Sequence, residues 1–262
     1  SRHEPLYTQK DAELSLPYFH ALDYHKTHEL AKGVKIRFTE AGHILGAAVT
    51  MVEMGEGAHK KTLCFTGNVG PRNAPLLRKL EAVSGADYLI TESTYGNRAH
   101  GKDNRLDQLA SIINSAYERA RVSERRQGKG VILIPAFAVG RTPAVLNDIR
   151  LLMEEGRIPQ LATFLDGRMS IAATQVHRDF SADLNSETRA VFDAGKDPFK
   201  TPRFAQCVEW QQSQALMEPA KEPVIIVGSS GMANGGRIVA RRQKRLPAAN
   251  NTVLFFGYQG RG

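Results

Sequence analysis

Cysteine is scarce: two in 262 residues cannot frame a disulfide-stapled scaffold. Cys64 and Cys207 stand in apolar stretches, Leu63-Cys64-Phe65 and Gln206-Cys207-Val208, and read as buried free thiols of a reducing compartment. No apolar run approaches the roughly 20 residues that span a bilayer, so no membrane role is expected. The opening Ser1-Arg2-His3-Glu4-Pro5 is polar and has no apolar core of an export signal. A soluble cytoplasmic protein is therefore the expectation. There is no internal repeat and no low-complexity tract. Acidic charge is also short, with 27 Asp and Glu against 35 Lys and Arg, a formal net charge of +8. An excess of basic residues favours polyanionic partners, because each neutralised phosphate releases counterions.

What is present is the alternation of an α/β protein. Apolar runs recur at Leu63-Cys64-Phe65, Tyr88-Leu89-Ile90, Val131-Ile132-Leu133-Ile134, Val224-Ile225-Ile226-Val227 and Val253-Leu254-Phe255-Phe256. They lack the alternation of a half-wet sheet and read as strands covered on both faces. Helical stretches at 104–124, 141–155, 169–180 and 209–217 separate the later ones, which predicts parallel βαβ units. Earlier, 34–40 and 47–54 read as strands, with a turn at Gly55-Glu56-Gly57 leading into a strand at 62–65. That spacing predicts an antiparallel meander. Polar residues 193–202 read as a surface loop.

Basic residues cluster in two places. Arg119, Arg121, Arg125, Arg126 and Lys129 crowd one linker, and Arg237, Arg241 and Arg245 recur at i, i+4, which predicts one basic helical stripe with Ile238 off it. Four strand-end loops combine polar residues with glycine, the usual setting for a binding site at the carboxyl ends of strands. Among them, His43 in Ala41-Gly42-His43-Ile44-Leu45-Gly46 suits a metal ligand through a neutral imidazole, or a histidine hydrogen bonded within its own loop. Glu92, ending an apolar strand, has to be paired, metal-bound or a cap. Asn68 in Thr66-Gly67-Asn68-Val69-Gly70 reads by itself as a turn residue. Residues 228–236 follow an apolar strand and precede the basic helix, so backbone amides there, with Ser229 and Ser230, suit a phosphate. The glycine spacing matches neither a P-loop nor a dinucleotide fingerprint, which argues against ATP and NAD. His25 and His28, at i, i+3, could share a helix face, though Lys26 and Glu29 between and beside them suggest a solvated one. His3, His20, His59, His100 and His177 have no ligand-like spacing.

In this order, the loops resemble motifs of the β-CASP nucleases, the RNA-processing branch of the metallo-β-lactamase fold. The segments around His43, Asn68 and Glu92 are similar to that fold's histidine, aspartate and acidic motifs. Ile134-Pro135-Ala136-Phe137-Ala138-Val139-Gly140-Arg141, Asp166-Gly167-Arg168-Met169, Ser229-Ser230-Gly231-Met232 and Gly235-Gly236-Arg237 resemble stretches of the β-CASP insertion. Asn251-Thr252-Val253-Leu254-Phe255-Phe256-Gly257-Tyr258-Gln259 resembles the strand returning to the catalytic domain.

The resemblance implies an α/β architecture: part of a metallo-β-lactamase αββα sandwich over 1–96, a β-CASP domain with a mainly parallel sheet flanked by helices over 97–250, and a return strand over 251–262. It implies two Zn2+ in the complete family site, hydrolysing RNA, single-stranded RNA above all. On that pattern His43 binds metal, Glu92 and Asn68 stand at catalytic positions, and Ser229, Ser230, Gly231, Arg141 and Arg237 hold RNA phosphates. Two departures qualify it. The family's His-x-His-x-Asp-His cluster and its later histidine motifs are absent, and Asn68 replaces the bridging aspartate. Two zinc ions need about six or more protein ligands, so the chain is expected to hold zinc incompletely or not at all and to be inactive alone. We read it as a fragment of a longer nuclease, because the missing pieces are contiguous. The alternative is a degenerate, non-catalytic RNA-binding or scaffold relative that pairs with itself or with an active homologue. Action on DNA, and a small-ester hydrolase on the same fold, are further alternatives, the latter at odds with so long an insertion.

Overall fold

A computed structural model describes residues 5–72, 74–97, 104–122, 129–257 and 259. Two compact units are distinguished: residues 1–42, 46–69 and 80–92 form the first, and 43–45, 70–79 and 93–262 the second. Sequence reading had instead placed boundaries near 96 and 250. Among the described residues no helix is long and apolar enough to cross a membrane.

The first unit is a five-stranded sheet ordered β1-β2-β3-β4-β5, from β1 (Thr27–Ala31), β2 (Val34–Glu40), β3 (Ala48–Met54), β4 (Lys61–Phe65) and β5 (Tyr88–Ile90). Strands β2, β3 and β4 form the expected antiparallel meander, β1 extends it antiparallel to β2, and β5 adds in parallel to β4. Alternation sets its core: Val49 and Met51 of β3 and Cys64 of β4 point the same way and bury with Ala41. Three expectations fail here. Strand β1 was unforeseen, because Thr-His-Glu-Leu-Ala carries no apolar alternation and lies at a sheet edge. His25 and His28 share no helix face: His25 occupies a left-handed turn (φ 64°) and His28 lies on β1. Finally, Tyr88, Leu89 and Ile90 are all more than half exposed, so β5 is not covered on both faces by the described residues.

The second unit is a fully parallel sheet ordered β10-β6-β9-β7-β8. Its strands are β6 (Val131–Pro135), β7 (Ala162–Asp166), β8 (Phe204–Cys207), β9 (Val224–Gly228) and β10 (Thr252–Val253). The helices are α2 (Arg105–Arg121), α3 (Arg141–Glu154), α4 (Arg168–Asp179), α5 (Ser186–Asp193), α6 (Trp210–Ala215) and α7 (Arg237–Arg245), after a short exposed α1 (Gln9–Ser15) near the amino end of the chain. Successive residues of a strand face opposite ways, and the two faces bury in different clusters. Ile132, Ile134, Ile225 and Val227 pack with α2 and α3, while Val131, Leu133, Val224 and Ile226 pack with Ile238 of α7. This two-sided burial is why β6 and β9 are continuous apolar runs in the sequence.

Strands β7 and β8 escaped the sequence reading, since Ala-Thr-Phe-Leu-Asp mixes polar residues in and Phe-Ala-Gln-Cys is short. Segment 251–262, expected to return to the first domain, places Thr252 and Val253 beside Ile132 and Leu133 at the edge of this sheet. Beyond Val253 the apolar run leaves the sheet, and Phe255 is exposed. Tyr258 and 260–262 lie outside the described residues, as do Arg125, Arg126 and the end of the expected helix at 123–124. The expected surface loop 193–202 is anchored inward: Phe199 is fully buried, edge-on to Phe192 and His177, with the Arg178 guanidinium 5.7 Å from its centroid.

Phe199→Ala should therefore lower stability by about 3–5 kcal/mol, read from urea unfolding, as expected for a large buried aromatic. A second prediction concerns Asp148 on α3, buried and bonded by Arg105 Nη2 at 2.8 Å. Burial pushes its carboxyl up to about 6, and the charges of Arg105 and Arg141 offset this only in part. The folded group thus holds its proton more tightly than the unfolded one, so its contribution is present below the unfolded value near 4 and lost as pH rises through 6. Relative to Asp148→Asn, the wild type should lose up to about 3 kcal/mol of stability between pH 4 and pH 7.

Candidate functional site

In the first unit, two expected motif loops meet. The Thr66 amide donates to the Ile90 carbonyl (3.0 Å), and the Thr66 and Thr91 hydroxyls lie 3.2 Å apart. Glu92, half-buried at the end of β5, accepts the Val69 amide at 2.9 Å, so its carboxylate pins the loop carrying Asn68. Asn68 itself is exposed. The Glu40 carboxylate similarly accepts the Gly42 amide (3.0 Å) at the root of the histidine loop.

His43 is exposed and groups with the second unit, where its neighbour Ile44 packs on Gly140: a Cβ there would lie 2.9 Å from Ile44 Cγ2. Zinc sites need three or four nitrogen, sulfur or oxygen ligands per ion. Among the described residues no group of three or more His, Cys, Asp or Glu is placed to hold a metal ion. The residues described here therefore do not by themselves fit the two-zinc site that the resemblance implies. His3 and His100 lie outside the described residues.

The richer geometry lies at the carboxyl edge of the parallel sheet, where open α/β sheets bind ligands. Strands β6, β9 and β7 are adjacent there, and the loop after each leads into a helix that starts after a glycine. Helices α3, α4 and α7 take Gly140, Gly167 and Gly236 as N-caps, none with a side-chain cap, and Arg141, Arg168 and Arg237 are their first residues. At α4 and α7 the uncapped first turns leave N–H groups to meet an anion, whereas at α3 the Arg141 and Thr142 amides already donate to the Val139 and Phe137 carbonyls and Pro143 has no N–H. Two glycines are dictated by close approach: a Cβ at Gly231 would lie 2.8 Å from the Phe137 backbone nitrogen, and one at Gly236, where φ is 73°, 2.9 Å from the Ser229 carbonyl. Ser229 and Ser230 are half-buried, joined by a cis peptide bond, and the Ser230 hydroxyl donates to Asn234 Oδ1 (2.7 Å). Gln259 donates to the Gly231 carbonyl at 3.1 Å, and Arg141 is exposed close to Gly257.

The predicted basic stripe on α7 is overturned. Arg241 and Arg245 are buried, and all three arginines of the stripe are bonded within the protein. Arg241 Nε donates to Asp166 Oδ2 at 2.6 Å and its Nη2 to the Ser213 carbonyl and hydroxyl at 2.8 and 2.7 Å. Its Nη1 is buried without a hydrogen-bond partner among the described residues. Arg245 Nη2 donates to the Leu216 and Glu218 carbonyls; burial, then the like charge of Arg241, pushes its guanidinium down. Arg237 Nη1 donates to Asp166 Oδ1 and the Cys207 carbonyl, and Nη2 to the Val208 carbonyl, each at 3.1 Å. Both thiols are buried and free; burial, then the Asp166 charge, pushes the Cys207 thiol up, so it stays protonated.

In the sequence, Asp166 and Arg168 stand in one motif, Asp166-Gly167-Arg168-Met169, with no role assigned to either, and Trp210 carries no mark. Gly-Arg stands at a helix start at 140–141, 167–168 and 236–237, but it also occurs at 156–157 and 260–261, so the pair by itself marks no helix start. No signal for Trp210 existed before the helices were placed.

Residues 144–262 match the Beta-Casp domain family. The transcription termination factor FttA of Methanosarcina mazei is 30% identical over 249 residues, covering 92% of this chain and 37% of that protein. Ribonuclease TTHA0252 of Thermus thermophilus is 29% identical over 261 residues, covering 99% of this chain and 56% of it. An RNase J-like protein of Methanocaldococcus jannaschii is 28% identical, covering 98% and 56%. The chain thus spans between 37% and 56% of these relatives' lengths.

Asp166→Leu should cost about 3–5 kcal/mol in chemical unfolding, because it strands a buried guanidinium. Arg241→Met in the same chain should restore much of that loss. An additive double mutant would show that the two groups act independently.

Proposed function

The chain belongs to the β-CASP family of the metallo-β-lactamase fold, and from that membership we propose that its parent protein is a zinc-dependent, cytoplasmic RNA-processing nuclease. This chain supplies the β-CASP part, which holds RNA. The reading is carried by one observation: two helix starts with no side-chain cap, those of α4 and α7, each led by a Gly-Arg pair, stand at the carboxyl edge of one parallel sheet. Backbone amides there suit successive phosphates of a single strand, and a ribonuclease is among the relatives. Ser229, Ser230 and Gly231 offer the loop after β9, and Arg141 offers an exposed cationic head. Arg237 has less to offer a phosphate, since both Nη groups already bond within the protein.

Hydrolysis needs metal ligands beyond His43, and in this reading they come from the rest of the parent protein. Bound zinc would activate water and offset charge at the scissile phosphate. A second reading, a non-catalytic RNA-binding relative, is favoured by the exposed neutral amide of Asn68 where the family pattern places a carboxylate.

The purified chain should bind single-stranded RNA without cleaving it, with or without added zinc, while the parent protein should cleave. Arg141→Ala should weaken binding severalfold and reduce the slope of log affinity against log salt by about one. Zinc-stimulated cleavage by the chain alone, lost in His43→Ala, would overturn the division of labour. A parent protein that binds RNA but never cuts it would favour the second reading.

A further inference from the structure

Trp210 is the only tryptophan in the chain and stands 54% exposed at the start of α6. An indole carries one of the largest apolar surfaces of any side chain and is highly buried on average. This one is left half in water, yet it is held. The Arg237 guanidinium lies 5.7 Å from its ring centroid. That guanidinium cannot swing away, because Asp166 and the carbonyls of Cys207 and Val208 fix it from below. The turn before the ring is fixed too, by a capping box in which the Glu209 amide donates to Gln212 Oε1 at 3.0 Å. A cation locked against one part of a π-system, with the rest in solvent, is a preorganised stacking surface.

We propose that Trp210 is a stacking platform for a nucleobase of single-stranded RNA, with Arg237 as the residue that orients it. The inference rests on the RNA reading above and deepens it by assigning a base subsite. Three observations favour a nucleic acid as the occupant. The chain carries a net charge of +8. Arg168 is 71% exposed and reaches Glu209, the residue before Trp210, so a further cation flanks the ring. Arg237 also starts α7, whose uncapped first turn follows the 228–236 loop, which puts the ring's anchor beside the proposed phosphate-holding loop. Every base has a π-face, so such a platform tolerates any sequence. Arg237 thereby acts through Trp210, not as a phosphate ligand.

The single tryptophan is its own reporter. Titrating the chain with a short oligoadenylate should quench its fluorescence, and an abasic oligoribonucleotide of equal length should not. In anisotropy with end-labelled RNA, Trp210→Ala should weaken binding about tenfold and leave the salt slope unchanged, since no phosphate contact is lost. Trp210→Phe should keep most of the affinity, and it serves with the abasic comparison should the alanine variant fail to fold. RNA binding with unchanged fluorescence and full affinity in Trp210→Ala would overturn the platform while leaving the RNA reading intact. Absence of RNA binding by the unmodified chain would overturn both. A dimer that dissociates in Trp210→Phe or Trp210→Ala, seen by sedimentation with RNA affinity unchanged, would overturn the platform by making the indole a contact between copies.

Discussion

The Asp166 carboxylate holds the second unit's working edge together. It sits at the last position of β7, 2% exposed, and meets Arg237 and Arg241 of α7 and the Ser213 hydroxyl of α6. A lone charge at such depth is untenable, and so is a lone guanidinium; each is admitted only by the other. The arrangement fixes α7 against the end of β7 and lets α7 start where the 228–236 loop ends. It also spends the two arginines that would otherwise read as a basic surface. Removing Asp166 strands the buried Arg241 guanidinium without its counter-charge, whereas removing Arg241 leaves Asp166 paired with Arg237.

Around that anchor, the sheet's two-sided burial makes a rigid frame, and its loops inherit the rigidity. Gly231 and Gly236 allow the loop after β9 to lie against the Phe137 backbone and to close on Ser229 at distances no Cβ would permit. Polar groups at the strand ends are thereby held in register by packing that lies behind them. The first unit has a much smaller described core, Ala41, Val49, Met51 and Cys64, and an edge strand, β5, whose three side chains all remain exposed. Its organised feature is local: Glu92 bonds the Val69 amide and so ties two motif loops together.

The chemistry divides along the same line. Among the described residues, the uncapped starts of α4 and α7 and the glycines before them lie at the carboxyl edge of one sheet. No group of three or more His, Cys, Asp or Glu among the described residues is placed to hold a metal ion, and both His43 and Asn68 are exposed. A carboxylate such as Glu92 that bonds a backbone amide can position a loop without touching any metal.

Much was legible in the residues alone, for reasons that are local. Apolar runs such as 131–134 and 224–227 announce strands buried on both faces, because any polar residue there would be desolvated. Glycine-bearing loops after them announce a ligand edge, because only glycine permits such close approach. Other features were not legible. Arg237, Arg241 and Arg245 recur at the spacing of a solvated stripe, and nothing within the helix reveals that Asp166, some 70 residues earlier, draws the first two inward, or that the Leu216 and Glu218 carbonyls hold the third. Strands β7 and β8 hide because their polar positions are tolerated by particular neighbours, and Trp210 gains meaning only once Arg237 lies over its ring. The sequence by itself determined the α/β alternation, the parallel sheet and the loops at its edge. Tertiary structure alone decided which charges face water, since burial is set by partners distant in the chain.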